Sequence, residues 1–231
     1  MQATMPLTGC PRALAIRLQA ATLTRLDDGR TRVLTARAGR AGPGWAGRAG
    51  ALSVRGQAAR QGDGTWRFEF TLVNRGATAD ARFSYPYVFY TFAEPAPRVF
   101  DPRYGGVLEA GRMFFDMFYP GPATFCLTAA AGLRHTVAVG LFNDDQRRAR
   151  IAHIPAGADG QIRCELERLR VPARGTVTLP PMFLRIGADW ADAFAPYRDW
   201  YHARWAARRD RPAWFLREPF TETRKAHCLV P

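Results

Sequence analysis

The chain has 231 residues, of which 47 % are hydrophobic and 23 % are charged. This composition excludes an intrinsically disordered chain, because disordered segments lack the apolar surface needed to offset the entropy of ordering. The length suits one core, and all-β sandwiches of about this size commonly form a single domain.

The formal net charge of +13 comes almost entirely from arginine, since Lys225 is the only lysine. Together with abundant Ala, Gly and Pro, this bias is typical of a GC-rich bacterial genome. The arginines extend from Arg12 to Arg224, whereas a nucleic-acid-binding surface concentrates basic residues on one face or arm. We therefore expect no nucleic-acid partner.

The sequence predicts neither membrane insertion nor export. No apolar run reaches the roughly 18 residues of a membrane-spanning helix. Leu7–Cys10 matches a lipoprotein processing site, but the six residues before it include no apolar segment. A cytoplasmic location is the default expectation.

Metal and cofactor sites are not predicted. The four cysteines, Cys10, Cys126, Cys164 and Cys228, lack the short spacing of zinc ligands, and their disulfide state stays open. The four histidines, His135, His153, His202 and His227, form no local ligand pattern either.

Residues 1–60 carry weak strand signals, at Leu14–Leu18 and Leu52–Val54, and a turn at Asp27–Gly29. Gly42–Gly47 has the spacing of a dinucleotide-binding GxGxxG motif, but the helix that the motif requires is not indicated after it. We interpret this segment as a glycine-rich loop.

The clearest strand follows the turn dipeptide Asp63-Gly64, because residues 66–72 alternate between apolar and polar. A turn at Asn74–Gly76 and a second alternating run over 81–85 predict that these two strands form a hairpin. Further short strands are predicted at Tyr87–Phe92, Met113–Phe118, Ala123–Ala129, His135–Phe142, Arg150–Ile154, Gln161–Leu169 and Thr176–Leu184. Short strands at this spacing predict an all-β antiparallel sandwich.

The pattern becomes helical after Gly187. Asp189 can cap a helix with Asp192 three residues later, and aromatic residues follow at helical spacing. Pro196 predicts a break in that helix near Ala195, since an interior proline removes a hydrogen bond. We therefore predict two segments, a sandwich domain over 1–187 and, over 188–231, a kinked aromatic helix packed on the sandwich and a linker.

This C-terminal segment has more aromatic rings than one helix side can bury. If the side with Trp190, Tyr197 and Tyr201 packs on the sandwich, the other rings remain for a second surface. We predict self-association or docking of a further domain through residues 196–220, with the contact candidates Trp200, Trp205, Trp214 and Phe215.

Aromatic residues beside chain reversals are candidates for sugar binding, because their rings can stack on the C–H surface of a sugar. A role in the core is the open alternative for these rings. Asp144-Asp145 indicates a solvated turn. We do not predict a role for it in glycosidic hydrolysis, since that reaction needs two carboxylates flanking one bond. The strand ends predict four candidate sugar-binding residues: Tyr87, Tyr104, Asn143 and Asp144.

Three stretches, Asp63–Tyr87, Tyr119–Asp145 and the W…YRxW…PxW pattern of Asp189–Trp214, resemble one known arrangement. It is the galactose-mutarotase-like supersandwich domain that precedes the TIM-like barrel of glycoside-hydrolase-like proteins. The resemblance implies a non-catalytic N-terminal domain that supports a barrel and contributes to carbohydrate binding. In such families the catalytic carboxylates lie on barrel strands, so catalysis is not expected from this chain alone. A free-standing mutarotase-like epimerase is the alternative, although no histidine in this sequence matches the motifs of those enzymes.

Overall fold

A computed structural model describes residues 4–37, 42–94, 98–103, 107–109, 114–123 and 125–204. The chain divides into two compact units, Met1–Tyr197 and Arg198–Pro231. All the strands described below belong to the first unit.

Short strands succeed one another along most of the first unit. In chain order they are β1 (Thr4–Pro6), β2 (Leu14–Gln19), β3 (Thr22–Arg25), β4 (Thr31–Val33), β5 (Thr35–Arg37), β6 (Gly44–Ala49), β7 (Leu52–Arg60), β8 (Trp66–Asn74), β9 (Ala79–Ser84), β10 (Val88–Phe92), β11 (Arg98–Asp101), β12 (Val107–Glu109), β13 (Phe115–Tyr119), β14 (Leu127–Ala131), β15 (Thr136–Leu141), β16 (Ala149–Ala156), β17 (Asp159–Val171), β18 (Thr176–Thr178) and β19 (Met182–Gly187).

Within the described residues, these strands form a nine-stranded and a ten-stranded sheet. The first sheet has the order β1-β2-β10-β17-β9-β3-β4, with β16 also beside β17 and β13 beside β16. The second has the order β12-β11-β14-β15-β19-β8-β7-β6-β5, with β18 beside β8. The strand pairs are antiparallel. The predicted all-β antiparallel sandwich is confirmed.

Alternating side chains of both sheets fill the core between them. Phe70 of β8 and Phe83 of β9 lie with ring centroids 4.9 Å apart, and Tyr85 meets Phe83 at 5.0 Å. The fully buried Tyr85 hydroxyl donates a hydrogen bond of 2.6 Å to the Pro180 carbonyl. The aromatic rings therefore hold the two sheets together, as edge-to-face pairs do in protein cores.

The predicted hairpin of residues 66–85 is wrong. β8 pairs with β7, β18 and β19, whereas β9 lies in the other sheet and pairs with β3 and β17. The Asp63-Gly64 turn is confirmed, but it joins β7 to β8. The alternation misled because strands that face each other across a core bury alternate residues in the same way as paired neighbours.

Asn74 fixes the crossing between the sheets. Its side-chain oxygen accepts a hydrogen bond from the Gly76 N–H at 2.9 Å. Its amide nitrogen donates to the carbonyls of Ala77 at 2.6 Å and Pro172 at 3.0 Å. A buried polar side chain bonded in this way holds a turn in one conformation.

The glycine-rich segment is also not the loop that the sequence suggested. Gly44–Ala49 is strand β6, paired with β5 and β7. Because its side chains are short, β6 lacks the alternation of apolar and polar residues that identifies a strand. Trp45 is nevertheless buried against Phe68 and Phe70. This packing stabilises β6 despite its composition.

The helix α1 runs from Trp190 to Arg204 and includes Pro196, so the predicted break near Ala195 is wrong. The predicted cap is present, since Asp189 Oδ1 accepts the Asp192 N–H at 2.8 Å. Proline costs the helix one N–H bond, and the residues on either side of it still pack on the sandwich, Phe194 against Phe100 and Tyr197 against Phe125.

Residues 190–197 of the helix pack on the sandwich, as predicted. Ala193 and Tyr197 are buried, and the Tyr197 hydroxyl accepts a hydrogen bond from the Cys126 N–H at 3.2 Å. The expected buried side is only partly correct, because Trp190 is 53 % exposed and Tyr201 is 42 % exposed. Among the described residues, no helix is both long and apolar enough to cross a membrane.

The cysteines at the described positions are free thiols. Cys126 and Cys164 are buried, and Cys10 is half-buried. Burial raises the pKa of the Cys164 thiol to about 12, which keeps it protonated and unreactive at neutral pH. Cys228 lies outside the described residues.

Candidate functional site

The outer face of the second sheet carries a groove of about 640 Å³. We call it the outer groove; its outward-facing lining residues are Thr35, Arg37, Gly44, Ala46, Arg55, Gln57, Glu69 and Thr71. Ligand sites commonly have volumes of about 300–1,000 Å³. The outer groove is therefore large enough for a small ligand such as a sugar.

Strand register explains how the outer groove forms. One row across the sheet joins Thr35, Ala46, Arg55 and Thr71, and the next joins Arg37, Gly44, Gln57 and Glu69. The central strand β6 thus contributes only a hydrogen and a methyl group between longer side chains of β5 and β7. Since neighbouring strands lie about 4.8 Å apart, the trough is roughly 9.5 Å wide between strand axes.

The trough is lined by polar groups that can meet a hydroxylated ligand. Arg37, Arg55 and Gln57 are exposed, and their side chains have no hydrogen bond or ion pair within the part of the chain that the structure describes. The lining has one carboxylate, Glu69, and the Arg67 Nε donates to it at 2.9 Å. The outer groove can therefore donate hydrogen bonds and attract negative charge.

The base of the outer groove is tightly packed. A Cβ atom added at Gly56 would lie only 2.1 Å from the Phe70 ring, so β7 has no room for a side chain there. A Cβ atom added at Gly44 would have the Gly56 carbonyl oxygen as its nearest neighbour, at 3.5 Å. The groove surface can thus accept larger side chains, whereas the core below it cannot.

Tyr87, one of the predicted sugar-binding residues, lies on the outer face of the first sheet. Its hydroxyl donates to Glu165 Oε1 at 2.9 Å, and the Arg163 guanidinium lies 4.9 Å from its ring centroid. Burial and the Glu165 carboxylate raise the pKa of Tyr87. Tyr87 therefore belongs to a charged cluster.

The same cluster continues to the edge of that sheet. Arg150 binds Asp116 through two hydrogen bonds of 2.7 and 2.5 Å and lies 3.8 Å from Glu165. The cleft among these side chains has a volume of about 20 Å³, which holds about one water molecule. The ion pairs occupy this surface themselves, so it offers less room to a ligand than the outer groove.

Asn143 and Asp144 lie in the loop after β15. The fully buried Asn143 side chain accepts the Arg147 N–H at 3.0 Å and donates to the Arg147 carbonyl at 2.7 Å. Asn143 thus closes its own loop. Asp144 and Asp145 are exposed, in agreement with the predicted solvated turn.

Several predicted site residues lie outside the described residues, namely Tyr104, Trp205, Trp214 and Phe215. Trp200 is half-buried on α1. The structure does not bring Tyr87 and Asn143 together with the outer groove, because Tyr87 lies on the outer face of the first sheet and Asn143 is buried in the loop after β15. The binding and interface roles of all these residues stay predictions.

A buried polar network surrounds His153 in the core. His153 Nε2 lies 2.8 Å from the Tyr90 hydroxyl, and Nδ1 lies 3.1 Å from the Thr128 hydroxyl. Burial lowers the pKa of His153 to about 3. Since His153 has no exposed surface, it holds the core rather than a ligand. His135 is half-buried and His202 exposed, while His227 lies outside the described residues.

Sequence reasoning missed the outer groove. Apart from Glu69 and Thr71, its residues occur in the segment with the weakest strand signal, where the glycines around Ala46 indicate a loop. The available signal was the alternation in β7, where Leu52, Val54 and Ala58 are buried and Arg55 and Gln57 are exposed.

Comparison with known proteins assigns no family to the chain. No protein-family model matches it, and no curated protein sequence matches it. Among solved structures it is similar to the α-galactosidase from Lactobacillus brevis, with a TM-score of 0.39 and 8 % sequence identity. The match covers 80 % of this chain and 31 % of the α-galactosidase chain, so the chain spans about a third of that enzyme. A similarity this distant assigns neither a family nor an activity.

Proposed function

We propose that this chain is a non-catalytic β-sandwich domain of a larger carbohydrate-active protein and that it binds saccharide in the outer groove. The observation that carries the proposal is a groove of about 640 Å³ whose outward-facing lining residues are polar or small, with Trp45 at its base. The resemblance of residues 63–214 to the domain that precedes a glycoside hydrolase barrel supports the carbohydrate context.

The chemistry of the lining favours binding over hydrolysis. Guanidinium, amide and hydroxyl groups of Arg55, Gln57 and Thr71 can bond the hydroxyl groups of a sugar ring. Glycosidic hydrolysis needs two carboxylates on opposite sides of one bond, whereas Glu69 is the one carboxylate in the lining.

The C-terminal segment is the proposed connection to the remaining protein. In the resembled proteins the corresponding helix and linker lead into the barrel, and we propose that residues 196–220 dock such a domain through Trp200 and the other predicted contact residues. Self-association through the same rings is the competing outcome.

A variant that fills the trough tests the binding proposal. Ala46 is exposed in the middle of the trough, and aromatic residues are well tolerated in strands. Ala46→Trp should therefore abolish saccharide binding in a glycan panel without lowering the melting temperature. Ala15→Trp is the matched control, because Ala15 is also exposed, on β2 of the other sheet.

Two results would contradict the proposal. One is wild-type protein that binds no saccharide in the panel. The other is saccharide binding that survives Ala46→Trp; if that binding is lost in Ala15→Trp, the site lies on the first sheet.

A further inference from the structure

We infer that the outer groove selects saccharides that carry an anionic group, a carboxylate or a sulfate, on the sugar ring. This inference rests on the proposed function and adds the class of ligand. It follows from the charges of the lining and from their arrangement on the sheet.

The outer groove has an excess of positive charge. Arg67 neutralises Glu69 across 2.9 Å, whereas Arg37 and Arg55 have no carboxylate partner within the described residues. Arg150 and Arg147 differ from them, since Arg150 is held by Asp116 and Arg147 by Asp145. The two groove guanidinium groups are thus available to an anion.

The two arginines lie at diagonal corners of the trough. Arg55 is in the row of Thr35 and Ala46, and Arg37 is one row further along with Gly44. Two strand spacings across and two residues along place their Cα atoms roughly 12 Å apart. Both side chains border the space above Gly44 and Ala46, so a ring in the trough has a guanidinium on each side.

Arginine suits this role for a geometric reason. Its planar guanidinium binds a carboxylate or sulfate with two parallel hydrogen bonds. A neutral sugar has no negative charge to pair with the guanidinium groups, although its hydroxyl groups could still bond Gln57 and Thr71. The arginines therefore contribute selectivity, and the uncharged polar groups contribute binding common to both ligand types.

The test is a calorimetric titration of the whole chain with three galacto-oligosaccharides of equal length, one carboxylated as galacturonate, one sulfated and one neutral. Arg37→Gln and Arg55→Gln should each weaken binding of an acidic oligosaccharide roughly fivefold, as expected for an exposed ion pair near the upper end of its range. Binding of the neutral oligosaccharide should change less than about twofold, because its hydroxyl groups do not need the guanidinium charge. The preference should also shrink as salt is raised, because screening weakens exposed pairs.

Arg17→Gln is the matched control, since Arg17 is an exposed outward residue of β2 on the other sheet. It removes the same charge from the protein and should leave all three affinities unchanged. Unaltered melting temperatures of the variants would show that the fold is intact. Binding of only the carboxylated or only the sulfated ligand would support the inference and identify the anionic group.

Three results would overturn the inference. If the neutral ligand binds as tightly as the acidic ones, the selectivity is absent while the proposed function stands. If Arg17→Gln weakens binding of the acidic ligands as much as Arg55→Gln does, the attraction comes from the positive charge of the whole protein. The same conclusion follows if single-stranded DNA competes with the acidic ligands equally in all variants. If no oligosaccharide binds, the proposed function fails as well.

Discussion

The buried histidine predicts that the fold loses stability in mild acid. The Thr128 hydroxyl donates to the Phe100 carbonyl at 2.8 Å, so its oxygen accepts the N–H of His153 Nδ1. Nε2 is then the acceptor for the Tyr90 hydroxyl. This arrangement uses a neutral imidazole, in which one ring nitrogen donates and the other accepts.

The size of the effect follows from the two pKa values of His153. Burial lowers the folded pKa to about 3, whereas an unfolded histidine titrates near about 6.5. Between these values the unfolded state binds a proton that the folded state does not, so stability falls as the pH falls below about 6.5. Each pH unit in this range costs about 1.4 kcal/mol, and the change from pH 7 to pH 5 costs roughly 2 kcal/mol.

Urea unfolding at pH 7 and pH 5 measures this loss. His153→Gln is less stable at pH 7 because it repacks the core, but it should lose roughly 2 kcal/mol less than the wild type on acidification. His135→Gln controls for removal of a histidine from a less buried position and should behave like the wild type. Equal losses for wild type and His153→Gln would refute the reasoning, because His153 would then not be held neutral in the fold.

Three other predictions concern the core, the corner and the helix. Gly56→Ala should destabilise the protein by about 1–3 kcal/mol through its clash with Phe70, whereas Gly44→Ala should change stability by less than about 0.5 kcal/mol; equal urea midpoints would contradict the difference. Asn74→Ala should cost about 2–3 kcal/mol, since it leaves buried backbone groups unbonded, and a loss below about 0.5 kcal/mol would argue against its role at the corner. Trp200→Ala should lower the mass measured by sedimentation, or weaken a docked partner, more than it lowers the melting temperature; an unchanged monomer would count against an interface there.

The sequence predicted the sheet structure better than its connections. Alternation over residues 66–72 and 81–85 correctly indicated two half-buried strands, and Asp189 correctly indicated the start of the helix. Alternation reports which side of a strand is buried and does not report which strand lies beside it. For that reason the crossing at Asn74, which depends on a contact with the distant Pro172 carbonyl, was mistaken for a hairpin.

The outer groove was missed because the residues that create it also weaken the strand signal. Gly44 and Ala46 have low β propensity, and they lower the groove surface because they are short. β6 remains a strand because hydrogen bonds to β5 and β7 hold its backbone on both sides and because Trp45 is anchored below it against Phe68 and Phe70. A departure from local propensity that distant contacts support is expected at functional surfaces. β6 shows such a departure, so the segment that the sequence predicted to be a loop lies at the proposed binding site.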